Sequence, residues 1–166
     1  MDEQTPYDVF IDAFIHRVEE DIDFFTYFLT TEEQAADIAT RRATVYMHEA
    51  FSRIMMECQP TVNFFDYDDS ERVLNFKANG TEILLVSSLM YEAYLSRDIA
   101  KIKLRRVDYT STDLRVFDPS NARTSFMDMY EEVRRENYRL LDVYKNTDRD
   151  THQYVGVDYS AYDFDD

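Results

Sequence analysis

The scarcity of glycine and proline is the feature that most constrains the fold of this chain. Its 166 residues include only 2 Gly and 3 Pro. A β-rich fold needs many tight turns, and turns draw on Gly and Pro for backbone conformations that other residues rarely adopt. Hydrophobic residues make up 45% of the sequence, which is enough for a packed core. We therefore expect one mainly α-helical domain built from long helices.

The first two predicted helices carry start signals as well as the apolar repeat that is typical of helices. The first begins at Thr5 and Pro6, with Thr5 as the predicted N-cap and Pro6 in the first turn. The second opens with Thr31-Glu32-Glu33-Gln34, which has the form of a capping box. Nothing interrupts it before Pro60, so a length of roughly 28 residues is expected.

The third and fourth predicted helices differ in how much apolar surface they carry. The third is expected to be capped by Thr81 and to end near Leu104. It is apolar on nearly every side at its start, which is typical of the central helix of a bundle. The fourth starts at Asp118-Pro119 and runs to about Lys145. Together these patterns predict a bundle of about four helices.

Two segments lack the helical repeat. Residues 59–80 are predicted to form a long loop between helices 2 and 3, with short extended pieces at 62–65 and 73–76. Residues 147–166 contain six Asp, one Arg and four aromatic residues, and they are predicted to form an extended C-terminal arm. The sequence therefore divides into a helical bundle domain, residues 1–146, and an acidic, aromatic arm, residues 147–166.

The sequence offers no recognisable metal site. Asp66 to Glu71 invites a calcium-loop interpretation, but the Gly that the template needs at its sixth place is Glu71. A loop counted from Asp148 has Gln153 at the same place. His48-Glu49 begins like a zinc-protease helix, but Ser52 stands where the second His is required. We expect no metal and no cofactor.

Catalytic constellations are also missing from the sequence. Its three histidines, His16, His48 and His152, are widely spaced. Cys58 is the only cysteine and stands beside two methionines, so it is predicted to be a small buried hydrophobic residue in a reducing cytosol. With 2 Gly in all, no glycine-rich phosphate loop can form. The chain is therefore predicted not to be an enzyme.

The formal net charge of −16 excludes further classes of function. Sequence-specific binding to nucleic acid rests on Lys and Arg neutralising phosphates, so it is not expected here. The longest apolar run, Ile83 to Val86, has four residues, whereas a bilayer-spanning helix needs about 20. We expect neither membrane insertion nor secretion. The acidity fits either a protein that imitates nucleic acid or one that lies beside DNA without adhering to it.

The charge is unevenly distributed along the chain. Residues 2–33 hold ten acidic residues and one Arg, whereas the end of the third helix is basic. Oppositely charged patches on one chain suit a head-to-tail ring, in which each interface joins two different faces of the same molecule. Pairing within the chain is the simpler alternative. The predicted subunit-interface residues are Arg97, Lys101, Lys103, Arg105 and Arg106.

The C-terminal arm carries large aromatic residues in a segment too polar and too short to bury them by itself. Such residues commonly act as anchors in the pockets of a partner protein. A tail folded against its own helices is the alternative. The predicted partner-binding residues are Tyr154, Tyr159, Tyr162 and Phe164.

The chain resembles the small head-to-tail connector (adaptor) proteins of tailed bacteriophages that infect Firmicutes. The resemblance covers residues 81–103 and 110–150 and is most specific at Thr112-Asp113-Leu114 and in the run from Phe117 to Met127. It continues through a last group of residues, Asn137, Asp142, Tyr144 and Asp148-Arg149-Asp150.

The resemblance implies a structural protein of the virion neck, present in the host cytoplasm during assembly. Members of the family form a ring, commonly of twelve subunits, that joins the portal protein to the next neck or tail-completion protein and lets DNA pass. Their C-terminal arms dock on the portal. The alternative prediction from another class is an acidic nucleic-acid mimic that inhibits a host restriction or CRISPR defence complex.

Overall fold

The computed structural model describes residues 4–18, 27, 30–108 and 119–155, and within 98–125 it describes the backbone alone. The described residues form four helices and three two-residue strands. The predicted mainly helical bundle is thereby confirmed. In chain order the elements are β1 (Thr5–Pro6), α1 (Tyr7–Val18), α2 (Glu32–Cys58), β2 (Tyr67–Asp68), β3 (Val73–Leu74), α3 (Gly80–Asp108) and α4 (Pro119–Lys145).

Helix α2 begins and ends where its sequence signals predict. The side-chain oxygen of Thr31 accepts a hydrogen bond from the Gln34 backbone N–H at 3.3 Å, and Gln34 Oε1 accepts one from the Thr31 N–H at 3.1 Å. This reciprocal pair is the predicted capping box. The helix ends at Cys58, and Gln59 takes the left-handed conformation with φ 49° directly before Pro60.

The predicted role of Thr5 as a helix N-cap is wrong. Thr5 lies in β1, where it is opposite Leu74 of β3, and α1 begins at Tyr7. Its hydroxyl donates to the Phe76 carbonyl and accepts from the Ala78 N–H, both at 2.8 Å. A partner segment some seventy residues away therefore uses the side chain that the local pattern assigns to the cap.

The predicted cap of α3 is also displaced, by two residues. Asn79 Oδ1 accepts a hydrogen bond from the Glu82 N–H at 2.9 Å, and Glu82 Oε2 accepts one from the Asn79 N–H at 2.8 Å. Asn79 and Glu82 thus form a capping box, and Thr81 lies inside the helix. Helix α3 continues to Asp108, beyond its predicted end near Leu104.

The long loop between α2 and α3 contains two strands of a small antiparallel sheet. Strand β3 is central, with β1 on one side and β2 on the other. The extended piece predicted at 73–76 coincides with β3 at 73–74. The piece predicted at 62–65 is wrong, because Asn63 accepts the Phe65 N–H on its side chain and the Asp66 N–H on its carbonyl, which makes a turn.

Helix α3 lies at the centre of the bundle, as predicted, and contacts α1, α2 and α4. Its buried apolar side chains pack with aromatic rings from α1 and α2; the ring centroids of Phe14 and Tyr94, for example, are 6.3 Å apart. Cys58 is buried at the end of α2, as predicted. No helix in the described part of the chain has an apolar stretch long enough to cross a bilayer.

Candidate assembly surfaces

The chain reverses direction directly after α4. The Asp148 N–H donates to the Gln153 carbonyl at 2.8 Å, and the Val155 N–H donates to the Asn146 carbonyl at 2.7 Å. Residues 146–155 therefore form a hairpin, and the predicted arm is folded rather than extended over this part. Its remainder, residues 156–166, lies outside the described residues.

One side chain attaches this hairpin to the bundle. Arg149 Nε donates to Glu82 Oε1 at 2.7 Å, and Arg149 Nη2 lies 3.2 Å from Glu82 Oε2. Nη2 also donates to the Lys77 carbonyl, and the guanidinium lies 5.5 Å from the centre of the Phe76 ring. Glu82 has no exposed surface. Because a buried carboxylate is costly without a partner, Arg149 neutralises the charge that the first turn of α3 places inside the protein.

Tyr144 of α4 completes the environment of this carboxylate. Its hydroxyl donates to Glu82 Oε1 at 3.0 Å. Burial, followed by the adjacent negative charge of Glu82, raises the pKa of Tyr144. The hydrogen bonds that Arg149 donates to Glu82 raise the pKa of Arg149 in turn. Both groups therefore hold their protons, and the contact joins α3, α4 and the hairpin.

The predicted partner-binding residues fall on both sides of the boundary of the described structure. Tyr154 lies on the hairpin opposite Thr147 and is 73% exposed. Its neighbour Val155 is 54% exposed. The other three, Tyr159, Tyr162 and Phe164, lie outside the described residues. Tyr154 is thus available to a partner, and its role as an anchor stays a prediction.

The predicted subunit-interface residues lie on α3. Arg97 pairs with Glu49 of α2, and its guanidinium lies 4.8 Å from the centre of the Tyr46 ring. Arg97 thus has a carboxylate partner within the chain while its side chain remains 45% exposed. Helix α3 also contains the other four residues, but the structure describes only their backbone. Those residues are Lys101, Lys103, Arg105 and Arg106.

A second buried polar contact, which the sequence patterns do not predict, joins α2, α3 and α4. Arg53 Nη1 and Asn137 Nδ2 each donate to Glu92 Oε2 at 2.7 Å. Ser88 Oγ donates to Asn137 Oδ1 at 2.6 Å, and Asn137 Nδ2 also lies 3.1 Å from the Ser88 carbonyl. The available signal was the presence of Ser88 and Glu92, four residues apart, in the helix predicted to be central.

The acidic turns of the chain satisfy their carboxylates locally. Asp68 Oδ1 accepts from the hydroxyl and N–H of Ser70 and from the Glu71 N–H, which lowers the pKa of Asp68. Asp148 Oδ1 accepts from the N–H and hydroxyl of Thr151, which lowers its pKa likewise. In the described part of the chain, no three His, Cys, Asp or Glu side chains are grouped as metal ligands.

His48 lies where the acidic loop meets α1 and α2. Its ring stacks on Tyr67 with centroids 4.7 Å apart, and its Nε2 lies 3.3 Å from Asp69 Oδ1 without hydrogen-bond alignment. Tyr7 donates to the same Asp69 oxygen at 2.9 Å. Burial first, and then this bond to Asp69, raise the pKa of Tyr7. His48 therefore helps to pack the loop against the bundle.

Cys58 has the surroundings of a structural thiol. Burial raises its pKa to about 11, so the thiol stays protonated at neutral pH. Its Sγ lies 3.5 Å from the Leu141 carbonyl of α4. A nucleophilic cysteine needs the opposite, a lowered pKa and an adjacent base. The thiol thus packs α2 against α4.

Two concave surfaces lie along α2. An open groove of about 510 Å³ follows α2 from Val45 to Glu57 and includes Met56. A smaller notch of about 170 Å³ lies between α2, α3 and α4 and is lined partly by Glu92 and Tyr130. Arg53 and Glu49 contribute to both surfaces.

Comparisons of the chain with family models, with curated proteins and with solved structures find no match.

Proposed function

We propose that the protein is a structural subunit of the phage neck. It forms a ring that joins the portal to the next neck or tail-completion protein and lets DNA pass. The observation that carries this proposal is the hairpin held by Arg149. It fixes the position of Val155, from which the acidic, aromatic residues 156–166 continue, and a docking arm with a fixed origin loses less entropy on binding.

Three residues of the family resemblance, Asn137, Tyr144 and Arg149, have definite structural roles, whereas its most specific part, residues 112–118, lies outside the described residues. Asn137 holds Glu92 and Ser88 together between α3 and α4. Tyr144 and Arg149 hold Glu82 at the start of α3. A resemblance that falls on buried polar contacts supports a shared fold, because those contacts specify how the helices pack.

The charge distribution supports an assembling subunit that DNA passes without binding. The net charge is −16, and like charge discourages a duplex from adhering to the wall of a ring. The basic end of α3 provides the opposite charge for a neighbouring subunit. In this proposal the interface residues are Arg97, Lys101, Lys103, Arg105 and Arg106, and the portal-binding residues are Tyr154, Tyr159, Tyr162 and Phe164.

The test is assembly with the portal protein encoded by the same phage. We expect native mass spectrometry and electron microscopy to show a ring, of about twelve subunits as the resemblance implies, on the portal. The variant Tyr154→Ser/Tyr159→Ser/Tyr162→Ser/Phe164→Ser should lose portal binding, whereas Phe65→Ser, which removes another exposed aromatic side chain, should bind normally. A protein that stays monomeric, ignores the portal and displaces DNA from a nuclease would instead be the acidic mimic.

A further inference from the structure

Two large apolar side chains are exposed on the neighbouring helices α2 and α4. Met56 of α2 is 79% exposed and Tyr138 of α4 is 48% exposed. Arg53, one turn before Met56, lies with its guanidinium 5.1 Å from the centre of the Tyr138 ring. We call Met56, Tyr138 and the intervening Arg53 the α2–α4 surface. Exposed large apolar side chains on neighbouring helices offer apolar area to a binding partner.

The α2–α4 surface has a positive charge at its edge. Arg134 lies with its guanidinium 5.6 Å from the centre of the Tyr138 ring, and its Nη2 donates to the Tyr138 hydroxyl at 3.3 Å. Glu57 and Glu92 neutralise Arg53 through salt bridges, whereas Arg134 forms none among the described side chains and has Glu131 as a nearby carboxylate. An occupant with both aromatic and acidic side chains would complement this edge.

The last eleven residues of the sequence have this composition. Residues 156–166 include Tyr159, Tyr162 and Phe164 together with four Asp, and they contain no Lys or Arg. The aromatic side chains are suited to pack on the exposed Met56 and Tyr138, and the carboxylates are suited to pair with the guanidinium of Arg134.

The point at which residues 156–166 begin makes the contact geometrically accessible. The hydrogen bond from the Val155 N–H to the Asn146 carbonyl places this point at the C-terminal end of α4. Tyr138 precedes Asn146 by eight residues, which corresponds to about 12 Å along a helix. Eleven residues can span up to about 36 Å. A segment of this length is therefore long enough to reach the α2–α4 surface of its own chain.

We propose that residues 156–166 dock on the α2–α4 surface of the same chain before assembly. The aromatic side chains pack on Met56 and Tyr138, and the aspartates lie beside Arg134. This inference rests on the proposed function in one respect: the same arm binds the portal. Docking within the chain therefore hides the arm until the portal competes for it, which is an autoinhibitory contact.

The test measures how fast a thiol placed on the surface reacts. In a Met56→Cys variant a maleimide labels the new thiol selectively at neutral pH. The native Cys58 does not compete, because it is buried and its pKa is about 11. We expect Tyr159→Ser/Tyr162→Ser/Phe164→Ser to increase this rate about fivefold or more. A thiol at the exposed Phe65 position (Phe65→Cys) should react equally fast with and without these changes. Equal rates at position 56 overturn the proposal.

A second measurement avoids replacing Met56. The chain has no tryptophan, so Tyr138→Trp adds one tryptophan at the surface, which can be excited selectively over the tyrosines. The tryptophan emission should lie at shorter wavelength when residues 156–166 are native than when they carry Tyr159→Ser/Tyr162→Ser/Phe164→Ser. This difference should be the same at all protein concentrations. If the slower maleimide reaction and the shorter emission wavelength appear only as the protein concentration rises, a second copy occupies the surface. That result would overturn docking within the chain. Portal binding by a chain that shows no protection would refute this inference alone, whereas protection without portal binding would refute the proposed function alone.

Discussion

Arg149 Nε lies 2.7 Å from Oε1 of Glu82, a carboxylate with no exposed surface at the start of α3. The two residues are 67 positions apart in the chain. Glu82 also accepts the Asn79 N–H and the Tyr144 hydroxyl, so one carboxylate joins a helix cap, a neighbouring helix and the hairpin. Removing Arg149 from this contact leaves the buried carboxylate without its cation, although the two neutral donors remain.

The Arg149→Met variant should therefore be strongly destabilised. Removing one partner of a buried ion pair leaves an uncompensated charge, and we expect a loss of about 3 kcal/mol in the free energy of unfolding. Urea denaturation measures this loss. The control is Arg139→Met, which removes an exposed guanidinium 3.8 Å from Glu136 and should cost less than about 0.5 kcal/mol.

Repeating Arg149→Met in a chain without the Glu82 charge tests whether Arg149 acts through that charge. In a Glu82→Gln background, Arg149→Met should cost clearly less than in the native chain, because the remaining group is neutral. If Arg149→Met costs the same in both backgrounds, or no more than Arg139→Met, the charge of Glu82 is not what Arg149 stabilises.

Substitutions at the start of α3 should identify its cap. Asn79→Ala removes the side chain that accepts the Glu82 N–H, and we expect it to lower the free energy of unfolding by about 1 kcal/mol. Thr81→Ala, the change at the residue that the sequence pattern favours, should cost only a few tenths of a kcal/mol. The reverse order in thermal or urea denaturation would show that Thr81 caps the helix.

Asn137 should be a sensitive position in α4. Asn137→Leu removes the hydrogen bonds to Glu92 and to Ser88, both of which are buried, and we expect a loss of about 2–3 kcal/mol. Arg135→Leu, on the exposed face of the same helix, is the matched control and should change stability by less than about 0.5 kcal/mol. Comparable unfolding midpoints for the two variants would contradict a stabilising role for this contact.

Alkaline pH should weaken the contribution of Cys58 to stability. Its pKa is raised by burial from 9.0 to about 11, so folding favours the protonated thiol. The contribution is complete below pH 9 and is lost as the pH rises through 11. The difference in unfolding free energy between the native chain and Cys58→Ser should therefore decrease by about 1–2 kcal/mol across this range. A difference that is constant with pH would contradict the prediction.

Features fixed by neighbouring residues were predictable from the sequence. The capping box of Thr31 and Gln34 and the start of α4 at Pro119 both follow from short local patterns, and both are confirmed. Thr5 fits a local pattern equally well, but strand β3 and the Ala78 N–H engage it from seventy residues away. A cap motif is therefore informative only where no distant segment competes for the side chain.

The buried polar contacts were less predictable. The apolar pattern correctly predicts that α3 is central, but it assigns no partners to the polar side chains on that helix. The partners of Glu82 and Glu92 come from Arg149 and Arg53, whose positions depend on how the helices pack. The predicted roles of Tyr159, Tyr162 and Phe164 remain predictions, because those residues lie outside the described part of the chain.

The position of Arg149 in the sequence also affects the order of events during synthesis. A ribosome adds about 5–20 residues per second, so Arg149 is added roughly 3–13 s after Glu82. Helices α1 to α3 can pair during this interval, but the carboxylate at the start of α3 has no cation to neutralise it. Completion of the bundle core must therefore wait for the hairpin, and a nascent chain that is stalled between these two residues should remain accessible to chaperones and proteases.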